Sequence, residues 1–204
     1  MTSSSSILEF WFEGVTDETL INNGVMPFRK WFSKSEKFDQ EIRERFGADL
    51  EAACTGKYRA WEDSAQGRLT LIILCDQFPR NMFRNDSKMF SYDSLALSLT
   101  LKSIHDGWDM QLSLIERTFL YMPLMHSEEL KVQKMSLEYF SKLVAQAKEC
   151  CPKNVSYYEY SLKFAKRHHD IIEKFGRFPH RNATLGRASS TGELEFLNKP
   201  GSSF

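Results

Sequence analysis

An all-α protein, with helical hairpins stacked into an array and one domain spanning residues 1–204, is what the sequence predicts, and three observations predict it. Capping-box spacing, a serine followed three residues later by a glutamate, occurs at Ser6 and Glu9, Ser33 and Glu36, Ser156 and Glu159, and Ser190 and Glu193. Breakers punctuate the apolar pattern: Gly47 and Gly176 follow Arg45-Phe46 and Lys174-Phe175, where a left-handed residue ends a helix, and Pro79, Pro123 and Pro179 stand just past aromatic residues. No segment alternates with period two over enough β-branched residues to make a strand.

The helices are read in chain order. One near 6–12 opens at the first capping box and carries Ile7, Phe10 and Trp11; one near 34–46 runs from the second box to Gly47. Residues 65–78 hold the apolar run Leu69 to Cys75, which needs neighbours all round and marks the central helix, ending before Pro79. Helices near 90–105 and 110–121 follow, the second stopping ahead of Pro123. Ser127 is read as the N-cap of a long amphipathic helix near 128–148. On the helix near 156–175, Tyr157, Phe164, Ala165, Ile172 and Phe175 gather on one side with His168 at its centre, and Lys163, Arg167 and Lys174 gather opposite. A last helix near 190–197 begins at the fourth box. The strings Phe78-Pro79-Arg80-Asn81 and Phe178-Pro179-His180-Arg181-Asn182 are alike enough to suggest two related corners.

Composition limits the function classes. Twenty-seven Lys and Arg balance twenty-seven Asp and Glu, so no bulk field draws the chain to nucleic acid or an anionic membrane. The four cysteines, Cys54, Cys75, Cys150 and Cys151, form neither a disulfide framework nor a paired metal pattern, and reduced thiols in a cytoplasmic protein are expected. Met1 to Ser6 lacks the basic region of an export signal, and the longest apolar run is far short of the ~20 residues a membrane helix needs. There is no HExxH, P-loop, nucleophile elbow or dinucleotide fingerprint, so neither a metal nor another cofactor is expected.

The polar residues that interrupt apolar patterns carry the functional reading. Asp76 follows a nearly unbroken apolar run at a helix end, where the macrodipole disfavours a carboxylate, so an arginine partner is required: Arg80, Arg84, Arg117 or Arg181. Its role is either a structural ion pair or a ligand-facing carboxylate. His126 and Glu128 flank Ser127 at a helix start suited to an anion, or else pack a corner. His168, on an apolar stripe, is either a satisfied core histidine or a neutral base. Arg80, Arg84, Arg177, Arg181 and Arg187 cluster around the two proline corners with Gln77, Asn81, His180 and Asn182, a set able to clamp a carboxylate or phosphate. Without Arg117, these thirteen residues, from Asp76 to Arg187, make one candidate pocket.

At these same residues the chain resembles a widespread, mostly bacterial family catalogued as domain of unknown function number 924 and grouped with the tetratricopeptide-like superfamily. The resemblance covers nearly the whole chain and is carried by Leu8-Glu9-Phe10-Trp11-Phe12, Leu74-Cys75-Asp76-Gln77-Phe78-Pro79-Arg80-Asn81, Met122 to Glu128, and Phe175 to Asn182 with Leu185-Gly186-Arg187. It implies a TPR-like array of antiparallel hairpins with extra helices, and no reaction. Two functions are therefore expected as alternatives: a protein, enzyme or not, that binds a small anionic molecule or peptide carboxylate in an Arg/His/Asp pocket, or a helical module that binds a protein partner and uses those residues only to tie its corners.

Overall fold

The computed structural model describes residues 2–21 and 26–203; Met1, which heads the stretch read above for an export signal, residues 22–25 and Phe204 lie outside the described residues. The described chain is a packed bundle of α-helices without a strand: α1 (Ser4–Phe12), α2 (Phe28–Phe32), α3 (Glu36–Cys54), α4 (Ala65–Ile72), α5 (Phe78–Met82), α6 (Asp93–His105), α7 (Leu114–His126), α8 (Leu130–Cys150), α9 (Val155–Phe175) and α10 (Thr191–Leu197). The most extensive packing joins α8 to α9 and α7 to α8. No helix among the described residues is long and apolar enough to cross a membrane.

The central element is longer than its proline suggests. Between α4 and α5 the residues Ile73–Gln77 form a single π-helical stretch, and the chain stays helical from Ala65 to Met82. Pro79 lacks an N–H and its ring crowds the carbonyl four residues back, which should end a helix. Here the Phe78 N–H reaches the Ile73 carbonyl five residues back, so the turn widens just where proline needs room. Asp76 and Gln77 sit in that widened turn.

Other expected boundaries move for similar reasons. Helix α3 runs through Gly47 to Cys54, because Phe46, Leu50 and Ala53 continue its buried face. Pro123 lies inside α7, flanked by buried Met122, Leu124 and Met125, so packing outweighs the lost bond; the Thr100 hydroxyl donates to the neighbouring Leu120 carbonyl at 2.8 Å. Ser127 closes α7 rather than opening α8, whose N-cap is Glu129. Of the four capping boxes, Ser190 and Glu193 form one, and Ser3 and Ser35 cap α1 and α3 where Ser6 and Ser33 were expected. Asn154, not Ser156, precedes α9, and its fully buried side chain is bonded instead to Ile21, Asp17 and Thr19 of the opposite end of the chain. The capping box at Ser113 and Glu116 and the short helix α2 were not expected from the sequence.

The core is aromatic. Trp11 stands edge-on to Phe78 and Phe119 with ring centres 5.6 and 5.5 Å apart, Phe46 lies 5.0 Å from Phe78, and Trp31 lies 5.0 Å from Phe119 while its indole N–H donates to the Trp11 carbonyl at 2.9 Å. This cluster backs the central helix on one side. The other side of the same helix carries the polar residues.

Candidate functional site

Asp76 is completely buried and its carboxylate is held by three side chains. Oδ1 lies 2.7 Å from His126 Nδ1 and 3.2 Å from Arg80 Nη1, and Oδ2 accepts from Gln77 Nε2 at 2.5 Å. Burial alone pushes the carboxyl up; the charge of Arg80 and the hydrogen bonds from His126 and Gln77 outweigh it and hold Asp76 well below the usual carboxylate range. For His126, burial and then Arg80 push the imidazole down against the pull of Asp76. Arg80 is thus the charge that neutralises Asp76, and His126 is a neutral ring. Since a carboxylate only accepts, the His126 hydrogen is on Nδ1, and Nε2 is left as a lone-pair acceptor. It has no protein partner among the described residues.

A second carboxylate, Asp93 at the start of α6, ties two corners together. Arg80 meets it with two bonds of 2.9 and 3.1 Å, and Arg181 reaches its Oδ2 at 3.2 Å. The Arg181 guanidinium is sandwiched between Phe90 and Phe178, 4.5 and 4.4 Å from the ring centres, and its buried Nε–H has no hydrogen-bond partner among the described residues. Burial and the nearby Arg80 lower its pKa to about 10, so it stays charged at neutral pH. Arg84 forms a two-bond pair with Asp39, which also accepts from Asn81 Nδ2 at 2.8 Å.

Three histidines meet near this network. The His168 ring lies 6.0 Å from His126 and edge-on to Phe178 at 5.4 Å, and its Nδ1–H donates to the Phe164 carbonyl at 2.8 Å. Burial, then His126, lowers its pKa well below the ordinary value, and burial with Arg181 lowers that of His180 to about 4.

These groups surround a cavity of about 330 Å³. Its polar wall is Gln77, Arg80, Asn81, Arg84, His126, His168, His180 and Arg181; its apolar wall includes Trp31, Phe32, Phe90, Met122, Met125 and Phe164. Such a cavity suits a molecule with one polar end and one apolar end. Asp76 stands behind the polar wall, in contact with His126 and Arg80. A broader open cleft of about 570 Å³ shares Asn81 and Arg84 and is otherwise lined by charged and polar surface residues such as Lys34, Glu36 and Arg43. It has no apolar side chain and none of the histidines.

Four of the residues expected in the pocket lie elsewhere. Glu128 is taken up by Arg187 with bonds of 2.7 and 2.9 Å and by the Phe178 N–H at 2.7 Å. Asn182 is bonded to Arg187 and Ser189, and Arg177 to Glu193 and the Ala188 carbonyl. Each closes the carboxy-terminal corner, and each is occupied. Sequence reasoning missed the apolar wall and the carboxylates Asp39 and Asp93. A usable signal existed on α9, where Tyr160, Phe164 and His168 follow one another at four-residue steps and all line the cavity. His169, Asp170 and Glu173 bring their ligand-type atoms within 4.8 Å of one another on the solvent side of α9. Exposed acidic groups often cluster so without an ion.

A family model described as "Bacterial protein of unknown function (DUF924)" matches residues 7–201. Among solved structures, the protein of unknown function ATU0120 from Agrobacterium tumefaciens is 31% identical, with a TM-score of 0.78 and 96% of each chain covered. No curated protein matches.

Proposed function

The chain belongs to this DUF924 family of bacterial proteins of unknown function, and on that premise we propose that it binds a small amphipathic carboxylic acid in the cavity between the central helix, α7, α9 and the carboxy-terminal corner. The observation that carries the reading is the Arg181 guanidinium, a charged group held between two rings on the wall of a half-apolar cavity, with its buried Nε–H left without a partner among the described residues. A ligand carboxylate set against that guanidinium would make a charge-assisted hydrogen bond. The apolar body would lie against Phe32, Phe90 and Phe164. His126 Nε2, with Asp76 holding the far side of the ring, is placed as a general base should the bound molecule react. Whether it does is a separate question from binding.

Titration calorimetry with phenylacetate and with its uncharged counterpart 2-phenylethanol tests the proposal. Phenylacetate should bind the more tightly, and Arg181→Gln should remove that preference while leaving the weak affinity for the alcohol. Equal affinities for the two in the wild type, or no binding of either, would sink it. The packing of α7, α8 and α9 in chain order supports the finer fold reading of tetratricopeptide-like hairpins, and with it the alternative of a module for a protein partner. That alternative gains if neither small molecule binds.

A further inference from the structure

The cavity already balances its charges before any ligand arrives. Arg80 is paired with Asp76 and Asp93, Arg181 with Asp93, and Arg84 with Asp39, so three guanidinium groups face three carboxylates. A carboxylate added to that set meets Arg181, whose charge Asp93 already offsets, so the complex carries one negative charge too many, and in a half-apolar cavity an uncompensated charge is costly. One group is placed to supply the missing charge. His126 lines the cavity wall and rests its Nδ1 on a buried carboxylate at 2.7 Å, which leaves Nε2 as the nitrogen able to take a proton.

We infer that the ligand enters with a proton: each acid anion bound in this cavity is accompanied by one proton on His126 Nε2, which turns the Asp76–His126 pair into a carboxylate–imidazolium pair facing the anion. The inference rests on the proposed binding function and adds the charge state of the complex. The balance is simple. The proton comes from the acid itself or, when the anion binds, from the buffer; Nε2 gains an N–H, and the ligand is held as the carboxylate between that N–H and the Arg181 guanidinium.

The surroundings of His126 decide when this happens. Burial and Arg80 on the same central helix oppose the proton, and Asp76 with Asp93 of α6 favours it, while His168 of α9 and His180 of the carboxy-terminal corner are rings whose own pKa values His126 helps to lower. In the free protein the opposing groups and burial win, and the ring is neutral. A bound anion adds the one attraction that was missing. His168 and His180 are poorer acceptors, because the Nδ1–H of the first is bound to a carbonyl oxygen and the second sits beside Arg181.

Calorimetry of the whole protein with phenylacetate, run at about pH 8 in buffers of low and high ionisation enthalpy, counts the protons taken up. Uptake approaching about one proton per ligand is expected, with affinity falling about tenfold per pH unit above neutrality. His126→Gln, whose amide can still donate to Asp76, should bind more weakly with no proton uptake and no pH slope, while His169→Gln, on the solvent side of α9, should keep both. Phenylacetate binding with no uptake in the wild type, or uptake that survives in His126→Gln, overturns the inference and leaves the binding function standing. If phenylacetate fails to bind at all, both fall together. Should His126→Gln not fold, the ring nitrogen chemical shifts of His126 in the wild type decide the matter: they must move from the neutral to the imidazolium pattern on adding phenylacetate.

Discussion

Two stretches of this chain begin with the same Phe-Pro and deliver an arginine to the same carboxylate, yet they do so from different backbones. Phe78-Pro79-Arg80-Asn81 lies inside a continuous helix, with the widened turn at Ile73–Gln77 accommodating the proline. Phe178-Pro179-His180-Arg181-Asn182 leaves α9 through Gly176 at φ 69°, passes an extended Phe178, and makes one tight turn. Both phenylalanines are fully buried, and both arginines end on Asp93. The asparagines then part company, Asn81 donating to Asp39 beside the cavity and Asn182 serving Arg187 in the corner. Phe-Pro therefore fixes an anchor and a direction, and the residues before it choose the backbone. The first corner is rigid and charged from within the core. The second is a clasp closed over it.

If that contrast is right, the first corner should carry the larger share of stability. Asp76→Asn puts an amide N–H where the carboxylate now accepts from donors on both oxygens, and it leaves Arg80 with Asp93 as its one carboxylate beside the retained bond to the residue 76 carbonyl. A loss of about 3 kcal/mol is expected, the low end for breaking a buried pair because Arg80 keeps one carboxylate. Urea unfolding measures it. A loss below about 1 kcal/mol would mean that Asp76 is held for the ligand and contributes little to the fold.

How much of this was legible in the sequence depended on whether the deciding contact was local. Asp76 after an apolar run announced a buried carboxylate, and its partner Arg80 is one helical turn away, so both could be read. His168 on its stripe was legible for the same reason, since helical periodicity alone places it inward. Pro79 and Pro123 were misread as ends because the rule for proline is local, whereas Met122, Leu124 and Met125 are buried by neighbours that the rule does not see. Asp93 and Asp39 could not be found: they lie 13 and 42 residues from Arg80 and Asn81, and nothing near them in the chain marks them. Glu128, Arg177, Asn182 and Arg187 stand beside breakers just as the cavity residues do. Breakers mark corners, and only tertiary packing separates a corner that is closed by its own ion pairs from one that opens on a cavity.

Acid should separate the two regions next. His126, His168 and His180 all have folded pKa values depressed from the ordinary imidazole value, that of His180 to about 4. The unfolded chain binds those protons first, so the stability they represent is complete above about pH 6.5 and is lost as pH falls from there through the folded values. Each histidine adds a slope of about 1.4 kcal/mol per pH unit within its window. Asp76, with its folded pKa also lowered, acts only below the ordinary carboxylate range, near pH 4 and under. Urea midpoints taken at descending pH should therefore fall well before any carboxylate titrates, and His168→Gln should flatten the curve by one proton. A flat curve between neutrality and about pH 5 would show that these rings are not buried as neutral groups.

The smallest effect comes from two glycines that look alike in sequence and differ in place. Both follow a basic residue and a phenylalanine, and both were read as helix ends. Gly176 is one: its φ of 69° is left-handed, and it turns the chain from α9 into the second corner. Gly47 sits inside α3, where an added methyl group would meet nothing within 4 Å. Alanine at 47 should stabilise the protein by about 0.4–1 kcal/mol, since it restricts the unfolded chain and fits the helix. Alanine at 176 should cost about 1 kcal/mol, because its side chain is strained at positive φ. The signs are the test, and thermal unfolding read at matched conditions resolves them. The second substitution also loosens the clasp that presents His180 and Arg181, so Gly176→Ala should weaken phenylacetate binding while Gly47→Ala leaves it unchanged. Equal binding in both would mean that the carboxy-terminal corner keeps its geometry from Glu128 and Arg187 alone, and that the left-handed turn only ends a helix.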